Sequence, residues 1–135
     1  MAVIMDTEGA LTRLPLKFRR IDTAGHFLYF CEDPSHTHFN LTLDQQGNLR
    51  IWHFLPVTVS QDPKSIRIRR LFRDFYAEVE ITGDNVPCLN LRQDLSQVPD
   101  DQWPELVIRR IENFLILSGQ VRQAFQNIAF QEVSE

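Results

Sequence analysis

The feature that most constrains the fold of this chain is the apolar pattern between Asp100 and Phe130. Pro99, Asp100 and Asp101 are typical of a helix start, and seven apolar side chains then follow at helical spacing. They are Trp103, Val107, Ile111, Phe114, Val121, Phe125 and Ile128. At about 100° per residue these side chains form one narrow stripe, which needs a sheet or another helix to cover it. The pattern therefore predicts a long C-terminal helix that organises the fold.

Length and composition limit the chain to a small globular protein. Its 135 residues are enough for one sizeable core and too few for two ordinary domains. The hydrophobic content of 43% and the charged content of 24% are typical of a folded chain. A net charge of -4 gives no general reason to expect binding to polyanions. Because the sequence has neither a signal-peptide pattern nor a stretch of about 20 apolar residues, we expect a cytoplasmic protein without membrane association.

The distribution of strong patterns predicts how the chain is divided. Gly9 and Pro15 interrupt the weak helical signal at the start, and so we expect residues 1–17 to form a loosely held arm. Residues 18–130 carry the periodic segments and are predicted to form a single α+β domain. Residues 131–135 are expected to be a frayed tail.

Strand patterns fill most of the first half of the domain. Apolar and polar side chains alternate over residues 39–43, and a second strand pattern follows over 49–59. Gly47 and Asn48 connect these two segments and suit the positive φ of a hairpin loop. The other strand segments lie at 26–31, 78–82 and 87–95, and the last two are predicted to form a second hairpin, whereas residues 19–23 fit no more than a short strand and are not counted in the predicted order.

Residues 64–79 fit two structures. Their apolar side chains mostly fall on one side of a helix, with arginines on the other side, but residues 65–69 also alternate like a strand. With the helix, the predicted order is βββ-α-ββ-α, an antiparallel sheet packed by helices around Leu71 and Ile111.

This order of elements resembles the type III secretion chaperone-like fold. The most similar part has LNLRQDLS at 89–96, a short acidic loop at 99–102 and a long helix from Trp103. The resemblance covers residues 26–128 and is strongest to the bacterial YbjN-type proteins of that group. That fold usually begins with a helix, whereas this chain begins with the interrupted arm. The resemblance implies a non-enzymatic chaperone-like or adaptor protein, often a homodimer, that holds a partner polypeptide by apolar grooves and exposed strand edges.

Five apolar residues are the predicted partner contacts. Residues 114–117 are apolar on every side of the helix. This turn is therefore either buried on both sides within the domain or in contact with another chain. The predicted contacts are Ile108, Leu115 and Ile116 on the helix and Trp52 and Phe54 on the sheet. Each of these side chains would equally suit a core.

The sequence has no convincing motif for a metal site or for catalysis. His36 and His38 would share one strand face, and His53 from the paired strand with Glu32 or Asp33 could in principle complete a metal site. A single H-x-H pair is weak support, and we predict no metal and no other cofactor. The sequence has no nucleophile elbow, phosphate-binding loop or recognised cysteine–histidine spacing, and we predict that the protein is not an enzyme.

The densest positive charge lies at Lys64, Arg67, Arg69, Arg70 and Arg73. A solvated helix face with neighbouring carboxylates accounts for such a cluster. The alternative is a pleckstrin-like domain, in which the cluster begins in a strand and Arg67, Arg69 and Arg70 bind a phosphate or another ligand. The overall acidity and the lack of a known base-stacking pattern argue against nucleic acid.

Overall fold

The computed structural model of the protein describes residues 2–23, 26–55, 76–81 and 86–133. These residues form a six-stranded antiparallel sheet and two helices, which confirms the α+β class. The helices are α1 (Ala2–Thr12) and α2 (Trp103–Val133), and the strands are β1 (Lys17–Thr23), β2 (His26–Glu32), β3 (His38–Leu43), β4 (Asn48–Phe54), β5 (Ala77–Ile81) and β6 (Pro87–Asp94). The strands lie in the order β1-β2-β3-β4-β6-β5, and a 3-10 turn, Asp100–Gln102, leads into α2.

Both predicted hairpins are confirmed, as β3 with β4 and β5 with β6. In the first, the Asp44 carboxylate accepts hydrogen bonds from the backbone N–H groups of Gln46 and Asn48, each at 2.9 Å. Gly47 has a φ of 95°, a backbone conformation that residues with a Cβ rarely adopt. Its carbonyl also accepts a hydrogen bond from the backbone N–H of Leu95 at 2.7 Å. The turn therefore ties the hairpin to the end of β6.

Replacing Gly47 with alanine is expected to lower the free energy of unfolding by about 1–3 kcal/mol. An added Cβ would lie 2.8 Å from the backbone nitrogen of Ser96, in addition to the cost of the positive φ. Gly119→Ala is the matched control, because Gly119 lies inside α2 and an added Cβ there would have no atom within 4 Å apart from its chain neighbours and the nearby backbone of its own helix. The control is expected to raise stability by up to about 1 kcal/mol, since alanine favours a helix. Urea denaturation measures both changes, and equal effects would contradict the account of the turn.

The core lies between one face of the sheet and the two helices, and we call this face of the sheet the inner face. Alternate residues of β3 and β4 point into the core, including Leu41 and Ile51, which are fully buried. The predicted stripe of α2 is confirmed by the buried side chains of Trp103, Val107, Ile111, Phe114 and Val121. The side chains of Phe125 and Ile128 lie outside the described part of the chain. Among the described helices, none has an apolar run long enough to cross a membrane.

The N-terminal segment differs from the prediction, because residues 2–12 form helix α1 instead of a loose arm. Ala10 and Leu11 are fully buried in the same core cluster as the α2 stripe. Gly9 lies on the exposed side of α1, where a missing side chain costs no packing. Packing against α2 therefore outweighs the weak intrinsic preference of this segment for a helix. At the other end α2 continues to Val133, so the helix extends into the predicted tail.

The element order also differs from the predicted βββ-α-ββ-α. Four strands, not three, precede residue 55, because residues 17–23 form a full edge strand. The predicted helix around Leu71 lies outside the described residues. The last residues of that predicted helix, 77–79, instead belong to a strand, because Ala77–Ile81 pairs with β6 and Val79 lies opposite Leu89. Tyr76 precedes this strand with a φ of 59°.

Candidate functional site

The candidate site lies on the face of the sheet opposite the helices, which we call the outer face. Side chains alternate along β4, so that His53 points into the core while Trp52 and Phe54 lie on the outer face. The register places Arg19, Phe30, Asn40 and Trp52 side by side across β1 to β4 on this face. Phe30 is 41% exposed and Phe54 is 57% exposed, which is unusual for large aromatic side chains.

A groove opens on the outer face where β3 and β4 separate. Their pairing ends at Asn40 and Trp52, although β3 begins at His38 and β4 continues to Phe54. The neighbouring pairs of strands continue past this point, so the opening is local. The resulting groove has a volume of about 510 Å³, and we call it the outer groove. It is lined by Arg19, Phe30, Cys31, His38, Phe39, Asn40, His53 and Phe54.

The walls of the outer groove combine aromatic rings with a cation. The guanidinium of Arg19 lies 5.9 Å from the centre of the Phe30 ring, within the range of a cation–π contact. In the described part of the chain, Arg19 forms no ion pair with a carboxylate. His38 Nε2 lies 3.6 Å from Glu32 Oε1, and Glu32 lies on the same face of β2 as Phe30, two residues along the strand. The groove therefore offers apolar surface beside a positive charge whose partner is an aromatic ring.

Asn40, which also lines the groove, has one side-chain oxygen that is buried and unpaired among the described residues. Its Nδ2 donates a hydrogen bond of 3.4 Å to the backbone carbonyl of Trp52. Its Oδ1 is buried and accepts no hydrogen bond from any of the residues that the structure describes. A buried acceptor without a donor costs about 1–3 kcal/mol.

Trp52, one of the predicted contacts, is occupied within the chain. The Arg50 guanidinium stacks 4.2 Å from the centre of the Trp52 ring, and Arg50 Nε donates a 2.9 Å hydrogen bond to Asn90 Oδ1. Asn90 is buried and in turn donates to Glu80 Oε2 at 3.1 Å. This network holds the middle of the outer face in place beside the groove. Phe54 is therefore the more accessible of the two predicted sheet contacts.

The predicted helix contacts fall into two groups. Ile108 and Leu115 are half-buried and pack against the core, so that most of the second apolar stripe of α2 is used inside the domain. Ile116 is 61% exposed. Because α2 covers the inner face and Phe54 lies on the outer face, the sheet separates the exposed helix contact from the exposed sheet contact. The structure therefore does not bring the five residues together into one surface.

The histidines considered for a metal site are also divided by the sheet. His36 Nδ1 lies 3.4 Å from Glu32 Oε2, and His36 and His38 both face this one carboxylate. His53 instead points into the core, where its Nε2 lies 3.1 Å from Ser118 Oγ. Among the described residues, no three His, Cys, Asp or Glu side chains are arranged to hold a metal ion.

Burial controls the chemistry of the core histidine and of both cysteines. The pKa of His53 is lowered to about 4, mainly by burial and also by the positive charge of Arg122, while a hydrogen bond with the His38 backbone acts in the opposite direction. Cys31 and Cys88 are free and buried. Burial raises the pKa of the Cys31 thiol to about 12, so this side chain is a poor nucleophile at neutral pH.

Sequence reasoning identified Phe54 but missed the other groove residues. Alternation along β2 would have placed Phe30 on the same face as Glu32, opposite the buried Tyr29 and Cys31. The position of Asn40 opposite Trp52 follows from the hairpin register, whereas the separation of the strands has no local signal. Arg67, Arg69 and Arg70 lie outside the described residues, so their phosphate-binding role stays a prediction.

Compared with protein-family models, curated proteins and solved structures, the chain has no significant match.

Proposed function

We propose that this chain is a non-enzymatic protein-binding module, of the chaperone or adaptor type, that holds an extended partner polypeptide in the outer groove. The observation that carries the proposal is the pair of exposed aromatic side chains, Phe30 and Phe54, that line a groove of about 510 Å³. Aromatic side chains in such positions are typical anchors of protein interfaces. Partner binding explains why they remain on the surface when most other large apolar side chains of the described residues are buried.

The strand edges are a weaker choice than the groove. β1 and β5 are the two outermost strands of the sheet. β1 carries Lys17, Arg19, Arg20 and Asp22, and charged residues of this kind discourage pairing with another strand. β5 is only five residues long. Neither edge offers the long apolar strand that main-chain addition favours.

The helix surface is also a weaker choice. Ile116 is exposed, but its apolar neighbours Ile108 and Leu115 already pack against the core. One exposed side chain provides little apolar area for a stable interface. On this basis we expect partner binding to depend on Phe54 more than on Ile116.

Affinity purification from the native host tests the proposal with three versions of the chain. We expect the unaltered chain and Ile116→Ser to retain the same partner protein, and Phe54→Ser to retain at least about 5-fold less of it. Both substituted positions are exposed, so the two variants should melt at similar temperatures, and this is checked first.

Equal recovery with Phe54→Ser would show that the outer groove does not hold the partner. Recovery of a phosphorylated ligand or nucleic acid that depends on Arg67, Arg69 and Arg70 would instead favour the pleckstrin-like alternative.

A further inference from the structure

We infer that His53 holds the outer groove open, because its imidazole takes the place on β3 that the backbone N–H of Phe54 would otherwise occupy. The inference goes beyond the proposed function, since it concerns how the groove is formed and makes His53 the residue that positions its walls. Three observations carry it: the register of the sheet around the groove, the hydrogen bonds of the His53 ring, and the burial of that ring.

The register of the sheet directs the main-chain groups of His38 and Phe54 towards each other. The backbone N–H of Asp44 donates to the carbonyl of Asn48 at 3.3 Å, so the even-numbered residues of β3 and β4 bond across this hairpin. His38 and Phe54 are the next even-numbered pair beyond the last paired residues. In a regular ladder they would exchange two hydrogen bonds, but the pairing of these strands ends before them. The groove lies at this unformed pair.

The ring of His53 supplies β3 with a different hydrogen-bond partner. Its Nε2 lies 3.1 Å from Ser118 Oγ, which leaves Nδ1 for the hydrogen bond with the His38 backbone. Because that hydrogen bond raises the pKa of the ring, the backbone group is the His38 carbonyl, which accepts from Nδ1–H. In a regular ladder the same carbonyl would accept from the N–H of Phe54. The imidazole therefore links α2 and β4 to the end of β3 in place of that ladder bond.

Closing the groove would leave the Nδ1–H group of His53 without its acceptor. The side chain is buried and packs edge-on against Phe114, with 5.2 Å between the ring centres. A buried donor that loses its partner costs its full desolvation, whereas main-chain groups beside an open groove can bond with water and gain little from pairing. The open arrangement is therefore favoured as long as residue 53 carries a donor at the position of Nδ1.

Substitutions of His53 separate its hydrogen bond from its packing. His53→Leu keeps an apolar side chain without a donor, and we expect β3 and β4 to pair through to His38 and Phe54. His53→Val is a second, smaller variant without a donor. His53→Asn keeps an N–H group close to the position of Nδ1, and we expect the groove to stay open. Ser118→Ala removes only the partner of Nε2 and should also leave the groove open. Thermal melting first defines the temperatures at which each variant is folded.

NMR of the free, isotope-labelled full chain measures whether the groove is open. In His53→Leu the amide proton of Phe54 should exchange with water at least about 10-fold more slowly than in the unaltered chain, because it gains a ladder hydrogen bond. A cross-strand NOE between the α protons of residues 39 and 53 should also appear, since the α carbons of such a pair approach to about 4.5 Å. The unaltered chain, His53→Asn and Ser118→Ala should show neither feature.

The outcomes separate this inference from the proposed function. If the Phe54 amide exchanges equally fast in His53→Leu and in the unaltered chain, another feature keeps the strands apart and the inference is overturned. Closure in His53→Asn or Ser118→Ala would also overturn it, because packing would then be responsible. These measurements involve no partner, so such results leave the proposed function intact. If His53→Leu closes the groove and the host partner is still recovered, the inference stands and the partner binds elsewhere.

Discussion

Phe114→Ala is expected to lower the free energy of unfolding by about 3–5 kcal/mol, the largest effect of any substitution considered for this chain. Phe114 is fully buried at the centre of the α2 stripe. Its ring centre lies 5.7 Å from that of Phe39 and 5.2 Å from that of His53. Truncation removes the ring contacts of α2 with Phe39 and His53 on the two strands of the central hairpin, and it leaves a cavity that rigid strands cannot fill.

Urea denaturation with a matched control measures this effect. Ile116→Ala removes a similar amount of apolar side chain two residues further along α2, but Ile116 is 61% exposed. We expect the control to change stability by less than about 1 kcal/mol. If both substitutions cost the same, α2 does not contact the sheet through the predicted stripe, and the fold proposed from that stripe is wrong.

Helix α2 and the two hairpins are the elements that could be predicted from the sequence. The stripe of α2 repeats over several turns, and a long period of this kind has few competing explanations. The β3–β4 hairpin has alternation on both strands and a glycine at the position that adopts a positive φ. In both cases the local pattern agrees with the tertiary structure, which is why the elements could be identified from residues close together in the chain.

The N-terminal helix shows why other parts could not be predicted. The amphipathic signal of α1 is weak, and it forms because Ala10 and Leu11 pack beside residues about 100 positions further along the chain. The Arg13–Glu105 ion pair, at 2.6 Å, joins the same two distant segments. No local pattern contains this information, so a window on residues 1–17 shows only the interruptions at Gly9 and Pro15.

The outer groove could not be predicted from the sequence for a related reason. Its lining residues come from four strands, and the groove exists only because β3 and β4 stop pairing after Asn40 and Trp52. Apolar residues such as Phe30 and Phe54 look the same in sequence whether they fill a core or line a groove. The predicted set of partner contacts mixed these two classes, since Ile108 and Leu115 pack against the core. Only the strand pairing of the whole sheet distinguishes the residues that fill the core from those that line the groove.

The stability of the protein is expected to fall as the pH drops from about 6.5 to about 4, because of His53. The side chain is 6% exposed, packs against Phe114 and forms a hydrogen bond with Ser118. Burial and the positive charge of Arg122 together lower the pKa of His53 in the folded chain from the ordinary value of 6.5 to about 4. The unfolded chain therefore binds a proton over this pH range while the folded chain does not.

The sign of the effect follows from that difference in proton binding. The contribution of neutral His53 is fully present above pH 6.5, decreases as the pH falls, and levels off below about 4, where both states are protonated. The loss over this interval is roughly 3 kcal/mol. His53→Leu removes the titrating group, so the difference between its stability and that of the unaltered chain should change by about this amount between pH 7 and pH 4.

Urea denaturation at a series of pH values provides the measurement, and two comparisons make it specific to His53. Ile116→Ala removes no titrating group, and it should keep the pH dependence of the unaltered chain. An NMR titration of the His53 ring should show no protonation near pH 6.5 in the folded state. If His53→Leu and the unaltered chain lose stability in parallel, the imidazole is not held neutral by the core. The packing of β4 against α2 around Phe114 and Ser118 would then need revision.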